Sequence, residues 1–196
     1  MALVMTPLIL DMQSADLRLG DAEFYRLCQV NPDLKLELTA EGHLIIMPPT
    51  GWETGRWNAD LNWHIMSWAK RDGTGIVFDS STGFKLPNGA TRSPDVSWVL
   101  KSRIEAIAPE PDKFLPLCPD FAIELRSASD SLAGTQAKMQ EYVDNGLRLG
   151  WLVDPKRKKV EVYQAQQPVK IIDFATVVSG EPVLNKFTLD MMAVFS

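Results

Sequence analysis

The sequence has few cysteines and no long apolar segment, and these two absences exclude several protein classes. Its two cysteines, Cys28 and Cys118, lie far apart, without the paired spacing of a metal site. A disulfide framework and a zinc knuckle are therefore not expected, and a reducing, cytoplasmic location fits best. The longest apolar start, residues 1–10, is interrupted by a threonine and a proline and is too short to span a bilayer. We expect an N-terminal arm or edge strand over residues 1–20, and no membrane partner.

Linkers and repeats are also missing. No internal repeat, low-complexity tract or Ser/Gly-rich linker divides the chain of 196 residues. Hydrophobic residues make up 45% of the sequence and charged residues 23%, which is ordinary for a soluble globular protein and favours neither disorder nor a membrane class. The length suffices for one domain with a substantial core. We therefore predict a single domain over residues 1–196.

Basic residues are outnumbered by acidic ones. The 20 lysines and arginines against 25 aspartates and glutamates give a formal net charge of -5 and a pI near 5.1. Nonspecific nucleic-acid binding depends on the neutralisation of phosphates and the release of counterions. The composition therefore argues against strong binding of that kind. Any contact with DNA must be local, or must be assisted by bound cations.

The hydrophobic pattern predicts helices and a hairpin in the first part of the chain. A helix is expected over residues 21–30, because an aspartate can cap its start and an Asn-Pro pair stops it. Two strands follow at residues 35–38 and 43–47, joined by a hairpin turn. A long helix is expected over residues 52–71, because its apolar residues recur at steps of four, four and three. These residues are Trp57, Leu61, Ile65 and Trp68.

The second part of the chain alternates strands with two further helices. Strands are predicted at residues 83–86 and 95–100, with an Asn-Gly hairpin turn between them. The remaining predicted elements are a helix near 102–107, a buried strand at 120–126, a helix at 132–145, and strands at 149–153 and 160–163. Ser131 and its neighbours would cap the helix at 132–145, and Gly146 would end it. The order predicts an α/β fold with a central mixed β-sheet flanked by α-helices.

Two carboxylates, Asp95 and Glu124, lie in otherwise apolar strands. Ile123 and Leu125 point to the opposite side of their strand from Glu124. An ionised carboxylate inside a sheet is costly unless it is paired or binds a cation. Two carboxylates with a backbone carbonyl and waters suit Mg²⁺ or Mn²⁺ better than zinc. Such an ion can polarise a phosphodiester and activate a water molecule.

Six short segments, spanning nearly the whole chain in order, carry the most informative motifs. They are Leu36-Glu37-Leu38, Ile46-Met47-Pro48-Pro49-Thr50-Gly51, Ser93-Pro94-Asp95-Val96-Ser97, Ile123-Glu124-Leu125 followed by Ser127 and Ser129, Lys138-Met139-Gln140-Glu141-Tyr142, and Gly150-Trp151-Leu152-Val153-Asp154-Pro155. Together these segments resemble the Uma-two family of restriction endonucleases. Each segment alone is weak evidence, but six with compatible spacing are specific. The resemblance implies the PD-(D/E)xK nuclease superfamily, with a restriction endonuclease-like core. It also implies a Mg²⁺-dependent (or Mn²⁺-dependent) DNA endonuclease, and a homodimer would suit cleavage of two strands.

The resemblance implies a role for each acidic residue. Asp95 matches the aspartate of the PD motif, and Glu124 matches the first residue of the (D/E)xK motif. Both would hold the metal ion, with the carbonyl of Leu125 as a further ligand. Glu37 matches an early acidic residue that enters the same site. Arg126 stands where the motif has its lysine, and an arginine can hold phosphate but cannot readily act as a base.

The same resemblance places the catalytic lysine on the following helix, at Lys138. It would orient the attacking water and stabilise charge on the phosphorane. Tyr142 lies four residues later on the same helical face and would position a phosphate or the lysine. Gln136 and Asn58 are weaker additions to the site.

Structural alternatives stand beside these roles. Three ion pairs would replace them: Arg126 with Glu124, Lys138 with Glu141 or Asp144, and Glu37 with Lys35. The first pair would also close the metal site. For the whole protein, the alternative is a catalytically inactive binding or assembly module, which the acidic net charge and Arg126 favour. Hydrolysis of RNA or of a nucleotide is not separable from DNA cleavage by sequence.

Overall fold

The fold consists of three sheets and their covering helices. The structure is a computed structural model that describes residues 6–196, so residues 1–5 of the expected N-terminal arm lie outside the described part. The strands are β1 (Leu8–Leu10), β2 (Lys35–Leu38), β3 (Leu44–Met47), β4 (Gly75–Asp79), β5 (Phe84–Lys85), β6 (Thr91–Arg92), β7 (Val96–Leu100), β8 (Phe121–Leu125), β9 (Leu149–Asp154), β10 (Lys159–Tyr163), β11 (Lys170–Asp173), β12 (Val178–Ser179) and β13 (Thr188–Leu189). The helices are α1 (Asp21–Val30), α2 (Trp52–Asp72), α3 (Lys101–Ile107), α4 (Leu132–Asp144) and α5 (Met191–Phe195). Within residues 6–196, no helix combines the length and the apolarity needed to cross a membrane.

The smaller of the two main sheets carries the first part of the chain. Its five strands lie in the order β1-β3-β2-β6-β5, and all neighbours are antiparallel. The predicted hairpin of β2 and β3 is confirmed, with Glu37 opposite Ile45. Phe24 of α1 is buried against Leu36 and Leu38 of β2. This packing fixes β2, and with it the position of Glu37.

The Asn-Gly turn joins different strands from those predicted. The sequence pattern paired residues 83–86 with residues 95–100, but the turn connects β5 to β6, and β7 belongs to the other main sheet. Gly89 has the positive φ of 92° that this kind of turn requires. The prediction of the partner strand was wrong because β6 has only the residues Thr91–Arg92, too few to show a periodic pattern.

The larger sheet has six strands in the order β11-β10-β9-β8-β7-β4. β8 and β9 are parallel because the chain returns through α4 between them, whereas the other neighbours are antiparallel. The predicted α/β class with a mixed sheet flanked by helices is confirmed. That the chain forms one domain over residues 1–196 stays a prediction.

β4 is a strand that the sequence pattern did not predict. It is a short edge strand beside β7, and its apolar run is too brief to distinguish from a loop. A Cβ atom on Gly75 would lie 2.2 Å from the ring of Trp98. Glycine at this position therefore leaves room for the Trp98 ring beside the paired strands β4 and β7. This requirement comes from tertiary packing and not from the local sequence pattern.

Different helices cover the two faces of the larger sheet. Leu61, Ile65 and Trp68 of α2 are buried on one face, as their spacing predicted. Met139 and Tyr142 of α4 are fully buried on the other face. Burial of each such side chain contributes about 1.5–3 kcal/mol. The helix α4 is thus held rigidly against the sheet on the side where the polar residues of β8 emerge.

Both ends of α4 agree with the local sequence signals. The Ser131 hydroxyl accepts a hydrogen bond from the backbone N–H of Gly134 at 3.0 Å. Gly146 follows the helix with a φ of 103°. Lys138 and Tyr142 are therefore placed one turn apart on a helix with defined ends.

Candidate functional site

Residues of both main sheets, α2 and α4 line a cleft of about 1370 Å³. Five of the predicted site residues line this cleft together, namely Glu37, Asp95, Glu124, Leu125 and Lys138. Tyr142 is fully buried and reaches Glu124 from α4. The tertiary structure thus gathers residues that are as far apart in sequence as Glu37 and Lys138.

Strand alternation explains why Glu124 points into the cleft. Its neighbours Ile123 and Leu125 are buried on the α2 face of the larger sheet, so Glu124 lies on the α4 face. The Glu124 carboxylate is 7% exposed, and a carboxylate that is so deeply buried requires polar partners. Those partners come from α4.

Lys138 joins two of the predicted carboxylates. Its ammonium Nζ lies 2.8 Å from Glu37 Oε1 and 2.9 Å from Glu124 Oε1. Tyr142, one turn later, donates its hydroxyl to the same Glu124 oxygen at 2.9 Å. All of these groups are largely buried, so the ion pairs act in a medium of low effective dielectric. They lock the orientation of the ammonium.

Asp95 is held at the edge of the same cleft. Its Oδ2 accepts a hydrogen bond from the backbone N–H of Leu125 at 2.8 Å. Asn58 donates weakly to Oδ1 at 3.4 Å. Lys35 Nζ lies 3.7 Å from Oδ1, which is too long for a hydrogen bond. Asp95 is therefore fixed by the backbone of β8, directly beside Glu124.

Glu37 is surrounded by donors. Besides Lys138, its Oε1 accepts the backbone N–H of Ser93 at 3.0 Å, and its Oε2 lies 3.2 Å from Arg92. Arg92 in turn binds Glu141 of α4 at 2.6 Å. A chain of alternating charges thus runs from Glu124 through Lys138, Glu37 and Arg92 to Glu141, and it ties β2, β6, β8 and α4 together.

The two buried glutamates have opposite pKa shifts. Burial acts to raise the pKa of Glu37, but the positive charges of Lys138 and Arg92 outweigh it and lower this pKa from 4.5 to about 2. Burial raises the pKa of Glu124 from 4.5 to about 7, and the negative charge of Asp95 acts in the same direction, against the attraction of Lys138. Two positive charges therefore keep Glu37 ionised, whereas one positive charge does not offset burial and the charge of Asp95 at Glu124.

Lys138 and Tyr142 keep their protons in this environment. Burial disfavours the ammonium form of Lys138, but the charges of Glu124 and Glu37 outweigh it and raise the lysine pKa above its ordinary value. Burial and the neighbouring Glu124 raise the pKa of the Tyr142 hydroxyl. Both side chains therefore act as hydrogen-bond donors at neutral pH, and neither is a base.

The oxygen atoms around Asp95 and Glu124 fit a hard divalent cation. Tyr142 and Lys138 both contact Oε1 of Glu124, and Oε2 accepts no hydrogen bond from residues 6–196. Within the same residues, no cluster of three or more histidine, cysteine, aspartate or glutamate side chains forms a ready-made metal cage. Two carboxylates with a carbonyl and waters form the sparse donor set that suits Mg²⁺, which retains several waters.

The three alternative ion pairs are not formed in the structure. Arg126 binds Asp154 at 2.8 Å and does not pair with Glu124, so it does not close the cleft. Lys138 binds the two glutamates described above, and Glu141 is taken by Arg92. Lys35 faces Asp95 instead of Glu37. Of the weaker candidates, Asn58 contacts Asp95, whereas Gln136 turns away to Glu161.

Arg92 and Lys35 line the cleft but were not among the predicted site residues. Arg92 lies just before the Ser93-Pro94-Asp95 segment, and Lys35 lies two residues before Glu37. In a strand, residues two apart share a face, so the assignment of Glu37 to the site already implied the direction of Lys35. No local signal indicated that Arg92 would cross to Glu37 and Glu141.

Comparison with known protein families identifies the family of this chain. The sequence model of the Uma2 family, described as "putative restriction endonuclease", matches residues 21–192. The chain belongs to the Uma2 family. The predicted relationship is thereby confirmed, and the matched range includes every predicted site residue of this Uma2 chain.

A solved structure shares the fold of this Uma2 protein. It is a "putative nuclease belonging to DUF820" from Anabaena variabilis, 21% identical in sequence, with a TM-score of 0.76 over 90% of this chain and 97% of the other. At this identity the likeness concerns the fold. No curated protein matches the chain.

Proposed function

We propose that this Uma2 protein is a Mg²⁺- or Mn²⁺-dependent endonuclease that hydrolyses DNA phosphodiester bonds with an activated water molecule. The observation that carries the proposal is the position of Lys138. Its ammonium is fixed by two glutamates in a cleft that also holds Asp95. Family membership over residues 21–192 supports the same reaction class.

Asp95 and Glu124 are the proposed metal ligands, with the carbonyl of Leu125 completing the protein donors. When bound, the ion would supply Lewis-acid polarisation of the phosphate and a water of lowered pKa. Two features favour a cation there: Oε2 of Glu124 accepts no hydrogen bond from the described residues, and the negative charge of Asp95 adds to burial in raising the Glu124 pKa.

Lys138 acts as a donor in this proposal. Because its pKa is raised, it remains an ammonium throughout the neutral range. A fixed ammonium at the cleft stabilises the negative charge that develops on the phosphorane and orients the attacking water. Tyr142 keeps Glu124 in place through the hydrogen bond of 2.9 Å.

Glu37 receives a different role from the one that the family resemblance implied. Both of its oxygens are taken by Lys138, the Ser93 N–H and Arg92. A direct bond from Glu37 to a metal would compete with these donors for the same two oxygens. The contacts favour Glu37 as the group that positions Lys138, and its service as a metal ligand stays a prediction.

Plasmid nicking tests the proposal. Supercoiled plasmid is incubated with Mg²⁺ or Mn²⁺ and wild-type protein, Asp95→Ala or Asp144→Ala. Asp144 is an exposed carboxylate that also lines the cleft but contacts none of the proposed ligands. We expect wild type and Asp144→Ala to nick the plasmid and Asp95→Ala to fail. Equal cleavage by wild type and Asp95→Ala would remove the assignment.

A catalytically inactive binding or assembly module is the second candidate. One observation favours it, since eight acidic side chains among the described residues line the cleft against three basic ones. Thermal unfolding with Mn²⁺ separates the two candidates. An active site should give a shift that Glu124→Gln abolishes, whereas a structural module should ignore the ion.

The homodimer and the cytoplasmic location remain predictions, and so does the choice of DNA over RNA. Light scattering on the purified chain measures the oligomeric state. Parallel assays with plasmid and with single-stranded RNA decide the substrate.

A further inference from the structure

The cleft is acidic, although the proposed substrate is a polyanion. Eight acidic side chains of the described residues line it, and the basic ones are Lys35, Arg92 and Lys138. A phosphodiester enters such a cleft only if cations neutralise its charge. The availability of each basic side chain therefore decides how the substrate is held.

Two of the three basic side chains already form ion pairs with carboxylates of the cleft. Lys138 is bound by Glu37 and Glu124, and its side chain is 14% exposed. Arg92 is bound by Glu37 and Glu141, and its side chain is 9% exposed. A substrate phosphate has to compete with two carboxylates for either of these cations, so it gains less from them than from a lysine without a close partner.

Lys35 is in a different position. Its side chain is 33% exposed, and its closest acidic partner is Asp95 Oδ1 at 3.7 Å, beyond hydrogen-bond distance. Among residues 6–196 the ammonium therefore donates no hydrogen bond, and its N–H groups can bind a ligand. The rigid strand β2, anchored by Leu36 in the core, carries it on the same face as Glu37.

We propose that Lys35 is the substrate-binding residue of the cleft, and that it holds a backbone phosphate of the nucleic acid next to the one that Lys138 stabilises. This inference rests on the proposed nuclease function and identifies the part of the substrate that is recognised, which is the phosphate backbone. In this proposal the more exposed Lys35 binds the phosphate backbone, and the more buried Lys138 acts on the phosphate that is cleaved.

Binding without turnover tests the assignment separately from cleavage. Fluorescence anisotropy of a fluorescein-labelled DNA duplex is measured in Ca²⁺, at several salt concentrations, with wild type, Lys35→Gln, Lys35→Arg and Lys70→Gln. Lys70 is an exposed lysine of α2 outside the cleft lining and matches the change of charge. We expect Lys35→Gln to bind about threefold to tenfold more weakly, with the salt slope reduced by about 1. Lys35→Arg and Lys70→Gln should bind as the wild type does.

Three outcomes overturn the inference: no binding by wild type, equal binding by wild type and Lys35→Gln, or an equal loss in Lys70→Gln. A loss of the Mn²⁺ thermal shift in Lys35→Gln would also overturn it, since the lysine would then act through Asp95. If binding depends on Lys35 while the wild type nicks no plasmid, the inference stands and the proposed hydrolysis fails.

Discussion

Glu37 and Glu124 are both buried and share the ammonium of Lys138, yet their surroundings are opposite in character. The region of β2 around Glu37 supplies Arg92 and the Ser93 N–H as further donors, and the pKa falls to about 2. The region of β8 around Glu124 supplies the Tyr142 hydroxyl and a second carboxylate, Asp95, and the pKa rises to about 7. Two cations neighbour Glu37, whereas Glu124 has only the ammonium that it shares with Glu37.

The difference indicates that the two glutamates have different roles in the same cleft. A carboxylate with donors on both oxygens positions other groups, whereas one with donors on a single oxygen and an adjacent negative charge attracts a cation. Lys138 belongs to both regions. Neutralisation of Glu37 and neutralisation of Glu124 should therefore change the free energy of unfolding in opposite directions, which makes the comparison testable.

Removal of Lys138 should have the largest effect. Lys138→Met leaves two buried glutamates without their shared cation, so we expect a loss of about 3–5 kcal/mol in the free energy of unfolding at pH 7. Nicking should fall at least about a hundredfold, because a charge-stabilising donor is lost. Urea denaturation and initial nicking rates measure the two effects. Lys156→Met, at an exposed turn, is the control, and an equal loss in this variant would contradict the assignment.

Neutralisation of Glu37 should be destabilising. Its folded pKa of about 2 lies below 4.5, so its carboxylate stabilises the protein above pH 4.5, and this contribution disappears as the pH falls from 4.5 towards 2. We expect Glu37→Gln to lower the free energy of unfolding by about 3 kcal/mol at pH 7 and by much less near pH 3. Denaturation curves at both pH values check this, and a loss independent of pH would refute it.

Neutralisation of Glu124 should have the opposite sign. Its folded pKa of about 7 lies above 4.5, so the folded protein binds this proton more tightly, and stability falls as the pH rises from 4.5 to 7. Without added metal, Glu124→Gln should therefore raise the free energy of unfolding at pH 8, by an amount on the order of 1–3 kcal/mol. The same denaturation assay measures it. Destabilisation equal to that of Glu37→Gln would erase the proposed difference between the two regions.

Removal of the Tyr142 hydroxyl should have the smallest effect. Tyr142→Phe deletes one hydrogen bond to Glu124, which is worth about 1 kcal/mol. Nicking should fall by less than about tenfold, while Mn²⁺ still stabilises the protein. Rates and thermal shifts measured on the same samples test this. A complete loss of the Mn²⁺ shift would mean that the hydroxyl is itself part of the metal site.

Much of the fold could be predicted from local patterns. The bounds of α1, α2 and α4 agree with their predicted ranges to within one or two residues, because capping residues and apolar periodicity are local properties. The misses are short elements, namely the strands β4, β6, β11, β12 and β13 and the terminal helix α5. β4 and β6 depend on a ring packed over a glycine and on a two-residue pairing, and neither leaves a periodic trace in the sequence.

The candidate site was predictable in part. Asp95, Glu124 and Lys138 could be named because the family segments mark them, and strand alternation already turned Glu124 away from the face of Ile123. Arg92 could not be named. Its partners lie 55 and 49 residues away along the chain, on β2 and α4.

By itself, the sequence determined the family, the four longer helices α1 to α4, the mixed α/β class and three of the acidic residues that gather in the cleft. Only the tertiary structure decided which charge pairs with which. It turned Arg126 to Asp154, gave Glu37 two cations and left Glu124 beside Asp95. The physical reason is that helix and strand signals act over a few neighbouring residues. The pairing of buried charges depends on distances and on the exclusion of water, and these exist only once the sheets and α4 have packed together.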